Sequence, residues 1–327
     1  MTEHSREEAV ALMNTYGTQR CPFLFVIDYE AHRAIVTPLS DIDPGECLYD
    51  FDGLTNSVPP SRYDGEAAWS LHAPNYDGYL RAFEAVKRAI NAGDSYLVNL
   101  TCRMEVETDL SLRDLFNHTQ ARYRLWLRDR FTCFSPEIFV RINNGEISSF
   151  PMKGTVDASR PDALRQLMAS HKEQAEHATI VDLIRNDLSQ VARDVGVRRY
   201  RYNERIETCR GPIYQTSTEI AGQLPNEYPS HIGDIIWSML PAGSITGAPK
   251  PSTCRIIRDA ESYSRGWYTG VAGYCDGTRL DSMVMIRYVE QDAEGRLWFK
   301  AGGGITSMSD PQDEYDEIIT KAYAPLI

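Results

Sequence analysis

A run of glycine followed by two glutamates and a lysine, close to the C-terminal end, carries the strongest chemical signal in this sequence. Ala301-Gly302-Gly303-Gly304 follows the apolar positions Leu297 and Phe299 and leads through Ser309-Asp310-Pro311 to Glu314, Glu317 and Lys321. Glycine has no Cβ, so successive glycines let bare backbone N–H groups come close to a bound group. Ser309 or Asp310 can cap a helix that Pro311 starts. On that helix Glu314, Glu317 and Lys321 share one face. Paired carboxylates repel unless a cation lies between them, and an all-oxygen set suits Mg²⁺, which takes one or two carboxylates together with waters and substrate oxygens. Taken alone, E-x-x-E equally describes a solvated helix face. The glycine run upstream favours an anion site beside a metal site.

Further candidates lie earlier in the chain. Lys153 sits in Pro151-Met152-Lys153-Gly154-Thr155, presented at a turn where desolvation would lower its pKa towards neutrality and make it a nucleophile. An exposed loop lysine is the alternative. Glu137, in Ser135-Pro136-Glu137, opens the hairpin whose far end carries Lys153, so an acid–nucleophile pair or a surface ion pair both fit. Glu176 precedes the apolar positions Ile180, Leu183 and Ile184 by about a turn and is a candidate third carboxylate. His177 reads as structural, and Arg185, Asn186 and Asp187 as a polar network at the helix end. Gly243-Ser244-Ile245-Thr246-Gly247-Ala248-Pro249-Lys250 is a Gly-rich turn opening a helix, without the ending or spacing of a P-loop. Tyr274 and Arg287 fall on two tail strands expected to pair, and a phenol beside a fixed guanidinium suits a substrate carboxylate. Arg287 in an apolar stretch needs a partner.

The elements that must position these groups follow from periodicity. Helices are predicted over 5–16, 76–92, 111–120, 161–170, 172–187, 230–239 and 250–264, besides the one after Pro311. The second has Tyr79, Phe83, Val86 and Ile90 at helical spacing and Gly93 as terminator. Strands are predicted at 23–27, 96–106, 197–206, 213–224, 268–275, 281–290 and 296–301, with hairpins over 124–134 and 138–150, the latter turning at Asn143-Asn144-Gly145. Residues 38–74 read as loops and short strands. Hairpin-linked strands interleaved with helices, without a βαβ period, predict an α+β fold: one large domain of two predominantly antiparallel sheets packed together with helices outside. Residues 1–75 form a short N-terminal segment integrated into it, and 76–327 the catalytic portion.

Bulk properties narrow the function. A net charge of −12 over 327 residues argues against nucleic-acid or anionic-membrane partners, and an anionic substrate then needs local cations or backbone dipoles. No apolar run approaches membrane-spanning length and the first twenty residues are charged, so a cytoplasmic protein is expected. Seven scattered cysteines without a C-x-x-C pair read as reduced packing thiols.

Taken together, Gly93-Asp94-Ser95-Tyr96-Leu97-Val98-Asn99-Leu100-Thr101, Ser135-Pro136-Glu137, Pro151 to Thr155, Ala175 to Asp187, Gln215 to Thr218, Pro241 to Lys250, Gly273-Tyr274, Ile286-Arg287 and Ala301 to Lys321 resemble the chorismate-utilising enzymes. The match is best to their aminodeoxychorismate-forming branch, because Lys153 stands where anthranilate- and salicylate-forming relatives typically carry alanine. The resemblance implies that Lys153 attacks C2 of chorismate, that Glu137 protonates the departing C4 hydroxyl, and that ammonia then enters at C4. It implies Mg²⁺ on Glu176 and Glu317, with Glu314 through water, and the pyruvyl carboxylate on Tyr274, Arg287 and Gly302, Gly303 and Gly304, with Lys321 nearby. Gly154 and Thr155 would lie against the substrate beside Lys153, and Thr246 against the ring.

Leu97 replaces a usual glutamine, which argues against isochorismate formation, and Gln215 replaces a histidine. The stretch before residue 76 is short for the family, which implies no tryptophan feedback. Gly45-Glu46-Cys47-Leu48-Tyr49 fails the Gly-x-Cys-x-Gly pattern of a glutaminase at its last position, and Gly273-Tyr274-Cys275-Asp276-Gly277 matches it only as part of a predicted strand, so ammonia is expected from a separate glutamine amidotransferase subunit. Anthranilate synthase component I is the alternative within the family, and an inactive chorismate-binding protein the alternative outside enzymes.

Overall fold

At two places the chain passes directly from one antiparallel sheet to another, and these crossings set the geometry of the candidate site. The computed structural model describes every residue except Asp64, Glu66, Cys209 and Arg210. The first sheet runs, in order, Glu3–Ser5, Arg33–Pro38, Phe23–Ile27, Val271–Cys275, Arg279–Val284, Ile138–Asn143, Glu146–Ser149, Gly211–Gln223 and Met152–Asp157, with Arg193–Thr208 also on Gly211–Gln223. The second runs Gly247–Ala248, Leu97–Thr108, Leu297–Ile305, Tyr288–Gln291, Phe131–Ser135, Tyr123–Leu127, Cys47–Phe51 and Leu54–Thr55, with Trp69–His72 also on Leu97–Thr108. Phe23–Ile27 hydrogen-bonds to Val271–Cys275, so the N-terminal segment is integral to the first sheet. This is the expected α+β architecture.

Strands covered on both faces read as unbroken apolar runs. Phe23–Ile27, Tyr123–Leu127 and Phe131–Ser135 are buried at every position. Their side chains join those of helices and neighbouring strands in two core clusters, one holding Phe25, Val98, Phe134 and Phe299 and the other Leu24, Leu125, Met283 and Tyr288. At roughly 1.5–3 kcal/mol for each fully buried large side chain, these clusters supply the main driving force for the fold.

Local chemistry sets the boundaries. Tyr76–Ala92 is capped by the Asn75 side chain and ends at Gly93, whose φ of 85° costs a glycine nothing. It buries the four predicted residues, Tyr79, Phe83, Val86 and Ile90. The hairpin of Ile138–Asn143 and Glu146–Ser149 turns at Asn144 and Gly145, both with positive φ. Pro311–Lys321 is capped by Asp310, which accepts from the Gln312 and Asp313 amides, while the Ser309 hydroxyl accepts from the Thr306 amide.

Three expectations are corrected. The predicted strand 281–290 is two strands: Arg279–Val284 ends in the first sheet and Tyr288–Gln291 begins in the second, with Arg287 at φ 54° between them. The strand expected to end at 301 continues through all three glycines to Ile305, Gly302, Gly303 and Gly304 facing Thr101, Leu100 and Asn99 in the ladder. The helix expected to reach 264 stops at Ala260, because the next residue, Glu261, turns its carboxylate onto the Thr101 amide and hydroxyl. Arg33–Pro38 forms a strand without a sequence expectation.

Six cysteines are free, three of them buried, and Cys209 lies outside the described residues. No helix of the described residues is long and apolar enough to cross a membrane.

Candidate active site

A cavity of about 440 Å³ opens where the two sheets exchange strands, a size suited to a small organic ligand. Pro136 and Glu137 form the first crossing, from Phe131–Ser135 to Ile138–Asn143, and Ile286 and Arg287 lie in the second. The crossings are tied together. Ser135 Oγ donates to the Val284 carbonyl at 2.7 Å, the Val284 amide to the Glu137 carbonyl at 3.2 Å, and the Phe134 amide to the Arg287 carbonyl at 3.1 Å. A strand that changes sheets must release its ladder bonds, and those freed groups are satisfied here by the other crossing.

Lys153, Glu137, Glu176, Arg287, Gly302, Gly303, Gly304 and Lys321 all line the cavity. Glu137 accepts from the Ser244 hydroxyl at 2.5 Å. Burial pushes its carboxyl above the ordinary range, against the opposing pull of the Ser244 hydrogen bond and the positive charge of Lys321. That is the direction a general acid needs.

The Lys153 ammonium lies 2.9 Å from Glu176 Oε2. Burial alone would lower its pKa. The Glu176 carboxylate, with Glu317 and Glu173 behind it, outweighs that and leaves the pKa raised. This corrects the expectation of a lysine easily deprotonated by desolvation: three surrounding acids hold the proton on.

Arg287 donates to the Lys321 carbonyl and stacks over Tyr323, its carbon 4.9 Å from the ring centre. It thereby joins the second crossing to the end of the final helix. Lys321 itself pairs with Glu317 at 2.5 Å. Glu314 is buried, and a Cβ added to Gly303 would lie 3.2 Å from its Oε2. The other flank of the glycine run has no strand neighbour beyond Lys300 among the described residues, because Tyr288–Gln291 pairs only with Leu297 to Lys300. Lys87 donates to the Thr306, Ser307 and Ser309 carbonyls at 3.2, 2.7 and 3.2 Å, fixing the turn that follows.

Other nominated residues lie elsewhere. Tyr274 pairs across the sheet with Asp281, not with Arg287, and its ring packs 5.9 Å from Phe51. The break in the strand at 285–287 carries Arg287 away from it. Thr246 is fully buried, and its turn presents Ser244, Ile245 and Gly247 to the cavity instead. Gly154, at φ 88°, packs under Glu173 and Leu167, and Thr155 pairs with Gln215 in the sheet. Gln215 donates to Met152 Sδ. Leu97 lines the cavity, as does Tyr268, which sequence reasoning missed. The strand expected over 268–275 begins only at Val271, which leaves Tyr268 in the turn before it, with Thr269 at φ 61°.

The acids do not form a ready-made metal centre. Among the described residues no three His, Cys, Asp or Glu side chains converge closely enough to hold an ion. Glu176 and Glu317 are each paired with an ammonium instead.

Around the wall, Asp187 pairs with Lys250 at 2.7 Å, and Lys250 also donates to the Met239 carbonyl. His177 is fully buried against the Thr218 hydroxyl, at 2.6 Å, and stays neutral, its pKa pushed down to about 4 by burial and by the Arg201 charge. Arg185 pairs with Asp182 on the surface.

The chain is 44% identical over 326 residues to an uncharacterized PabA-like protein of Haemophilus influenzae, covering 100% of this chain and 99% of that one. It is 31% identical over 305 residues to aminodeoxychorismate synthase component 1 of Salmonella typhimurium, covering 89% of this chain and 65% of that one. Among solved structures, anthranilate synthase component I from Streptococcus pneumoniae superposes with a TM-score of 0.65 at 26% identity, over 82% of this chain and 60% of that one. The profile of the chorismate binding enzymes matches residues 22–326, and the chain belongs to that family.

Proposed function

We propose that this chain forms 4-amino-4-deoxychorismate from chorismate and ammonia, the ammonia being delivered by a separate glutamine amidotransferase subunit. The observation that carries this reading is the lysine at position 153 in the cavity wall. Anthranilate formation has no use for an amine there. In this reading the Lys153 amine attacks C2 of the ring. The double bond shifts, and the C4 hydroxyl leaves as water with the proton held on Glu137. Ammonia adds at C4, the double bond shifts back and the lysine is expelled. The glycine flank and Arg287 offer donors for a carboxylate, and Ser244 keeps the Glu137 carboxyl oriented.

A product assay tests the reaction. Purified protein is incubated with chorismate, Mg²⁺ and an ammonium salt. Anthranilate fluoresces without further treatment, whereas 4-amino-4-deoxychorismate yields para-aminobenzoate only after a lyase is added. Para-aminobenzoate dependent on that lyase is the expected outcome. Direct fluorescence would assign anthranilate synthesis instead. Activity of the isolated chain with glutamine alone would remove the separate subunit.

A further inference from the structure

The acids that a divalent ion would need are already neutralised from within the protein. Glu176 holds the Lys153 ammonium at 2.9 Å, and the negative charges of Glu317 and Glu173 bear on the same ammonium. Glu317 is further engaged by Lys321. An ammonium and a magnesium ion are both compact, strongly hydrated cations that favour carboxylate oxygens. Placed side by side on one carboxylate they repel, so Glu176 serves one or the other well. We propose that Lys153 is the resident counter-ion of Glu176, and that a hard divalent cation binds by displacing it. Metal loading and release of the lysine into the cavity are then one event.

The local build permits the exchange. Lysine carries its charge on a flexible four-carbon stem, and the Lys153 side chain is 35% exposed towards the cavity while Glu176 is 13% exposed. Lys153 Nζ thus has somewhere to go, and the carboxylate it leaves stays in place. The backbone beneath is held. Gly154 stands at φ 88°, where a Cβ would lie 2.8 Å from Glu173, and Thr216 Oγ donates to the Lys153 carbonyl at 2.6 Å. Movement is therefore confined to the side chain. The device also gives the nucleophile an order of events: while paired, the amine is turned to Glu176, and only an enzyme that has taken up its cation presents it to a ring. This inference rests on the proposed amine-attack reading but concerns cation binding without substrate.

The test is calorimetric titration of Mg²⁺ into the full chain in the absence of chorismate, for wild type, Lys153→Met and Glu176→Gln. Lys153→Met should bind Mg²⁺ about three- to ten-fold more tightly, as loss of a partly buried competitor predicts. Glu176→Gln should bind at least about tenfold more weakly. Affinity in Lys153→Met equal to or below wild type overturns the proposal, as does unchanged affinity in Glu176→Gln. Near-UV circular dichroism verifies each fold, and Lys153→Gln replaces the methionine variant if that one misfolds. In Mn²⁺-soaked crystals the Lys153–Glu176 pair should be broken, and a pair intact beside bound metal overturns it equally. A negative product assay with this exchange intact would remove the amination and keep the displacement. The converse result would do the opposite.

Discussion

The Arg265–Glu261 pair is closed on every side, whereas Lys153–Glu176 opens onto the cavity. Both join one acid to one base inside the molecule. Arg265 meets Glu261 through two nitrogens at 2.9 and 2.6 Å and spends its remaining donors on the Ile245 and Asn99 carbonyls and the Thr269 hydroxyl. Glu261 in turn accepts from the Thr101 amide and hydroxyl, and both charged side chains are only 2% exposed. A planar guanidinium fork is suited to such a fixed, fully satisfied knot. Lys153 meets Glu176 at 2.9 Å with its own side chain 35% exposed. Arginine thus stands where the turn at 245 and the strand at 99–101 are held still, while the lysine at 153 faces the cavity.

The comparison can be broken most decisively at its two centres. Lys153→Ala should lower aminodeoxychorismate formation at least about a hundredfold in the lyase-coupled assay while denaturant stability stays within about 1 kcal/mol. Arg265→Met should do the reverse in kind, removing about 3–5 kcal/mol of stability by stranding the buried Glu261. Equal stability losses in the two variants would erase the distinction.

Glu137→Gln comes next, with kcat reduced about 10²- to 10⁴-fold if the carboxyl is the acid. Its raised pKa also has a thermodynamic sign. The folded state holds the proton more tightly than the unfolded one, so stability is fully present below the ordinary value of 4.5 and is lost as pH rises through the folded pKa. Thermal melts across pH 4–7 should show that slope in wild type and a shallower one in the glutamine variant.

His177 has the opposite sign. Its folded pKa of about 4 lies below the ordinary 6.5, so its contribution is present above 6.5 and is lost as pH falls towards 4, by as much as about 3 kcal/mol. His177→Gln should flatten acid unfolding in that window. Smallest of all, Lys87→Met should cost about 1–2 kcal/mol by freeing the three carbonyls at Thr306, Ser307 and Ser309, and raise KM for chorismate a few-fold with kcat preserved.

Much of this was legible in the residues because local chemistry dictated it. The helix ending at Gly93, the Asn144-Gly145 hairpin and the Asp310 cap follow from short-range rules, and the structure contains them. Glu137, Lys153, Glu176, Arg287, the three glycines and Lys321 come to one cavity. What escaped was tertiary. Met285-Ile286-Arg287 continues an apolar run, and nothing in that run marks the change of sheet that separates Arg287 from Tyr274. The ion pair that governs Lys153 joins residues 23 positions apart on different elements, and Lys153 stands in the strand Met152–Asp157 rather than at the expected turn, so its raised pKa is a property of packing.

The flank of Gly302 to Gly304 without a strand beside it has one last implication. On the outside of a protein, such a row of free backbone donors would recruit another chain and seed aggregation. Here the vacancy in the ladder lies in the cavity wall, with Gly303 buried. In the proposed reading a substrate carboxylate would complete the sheet, sitting where the next strand would have lain.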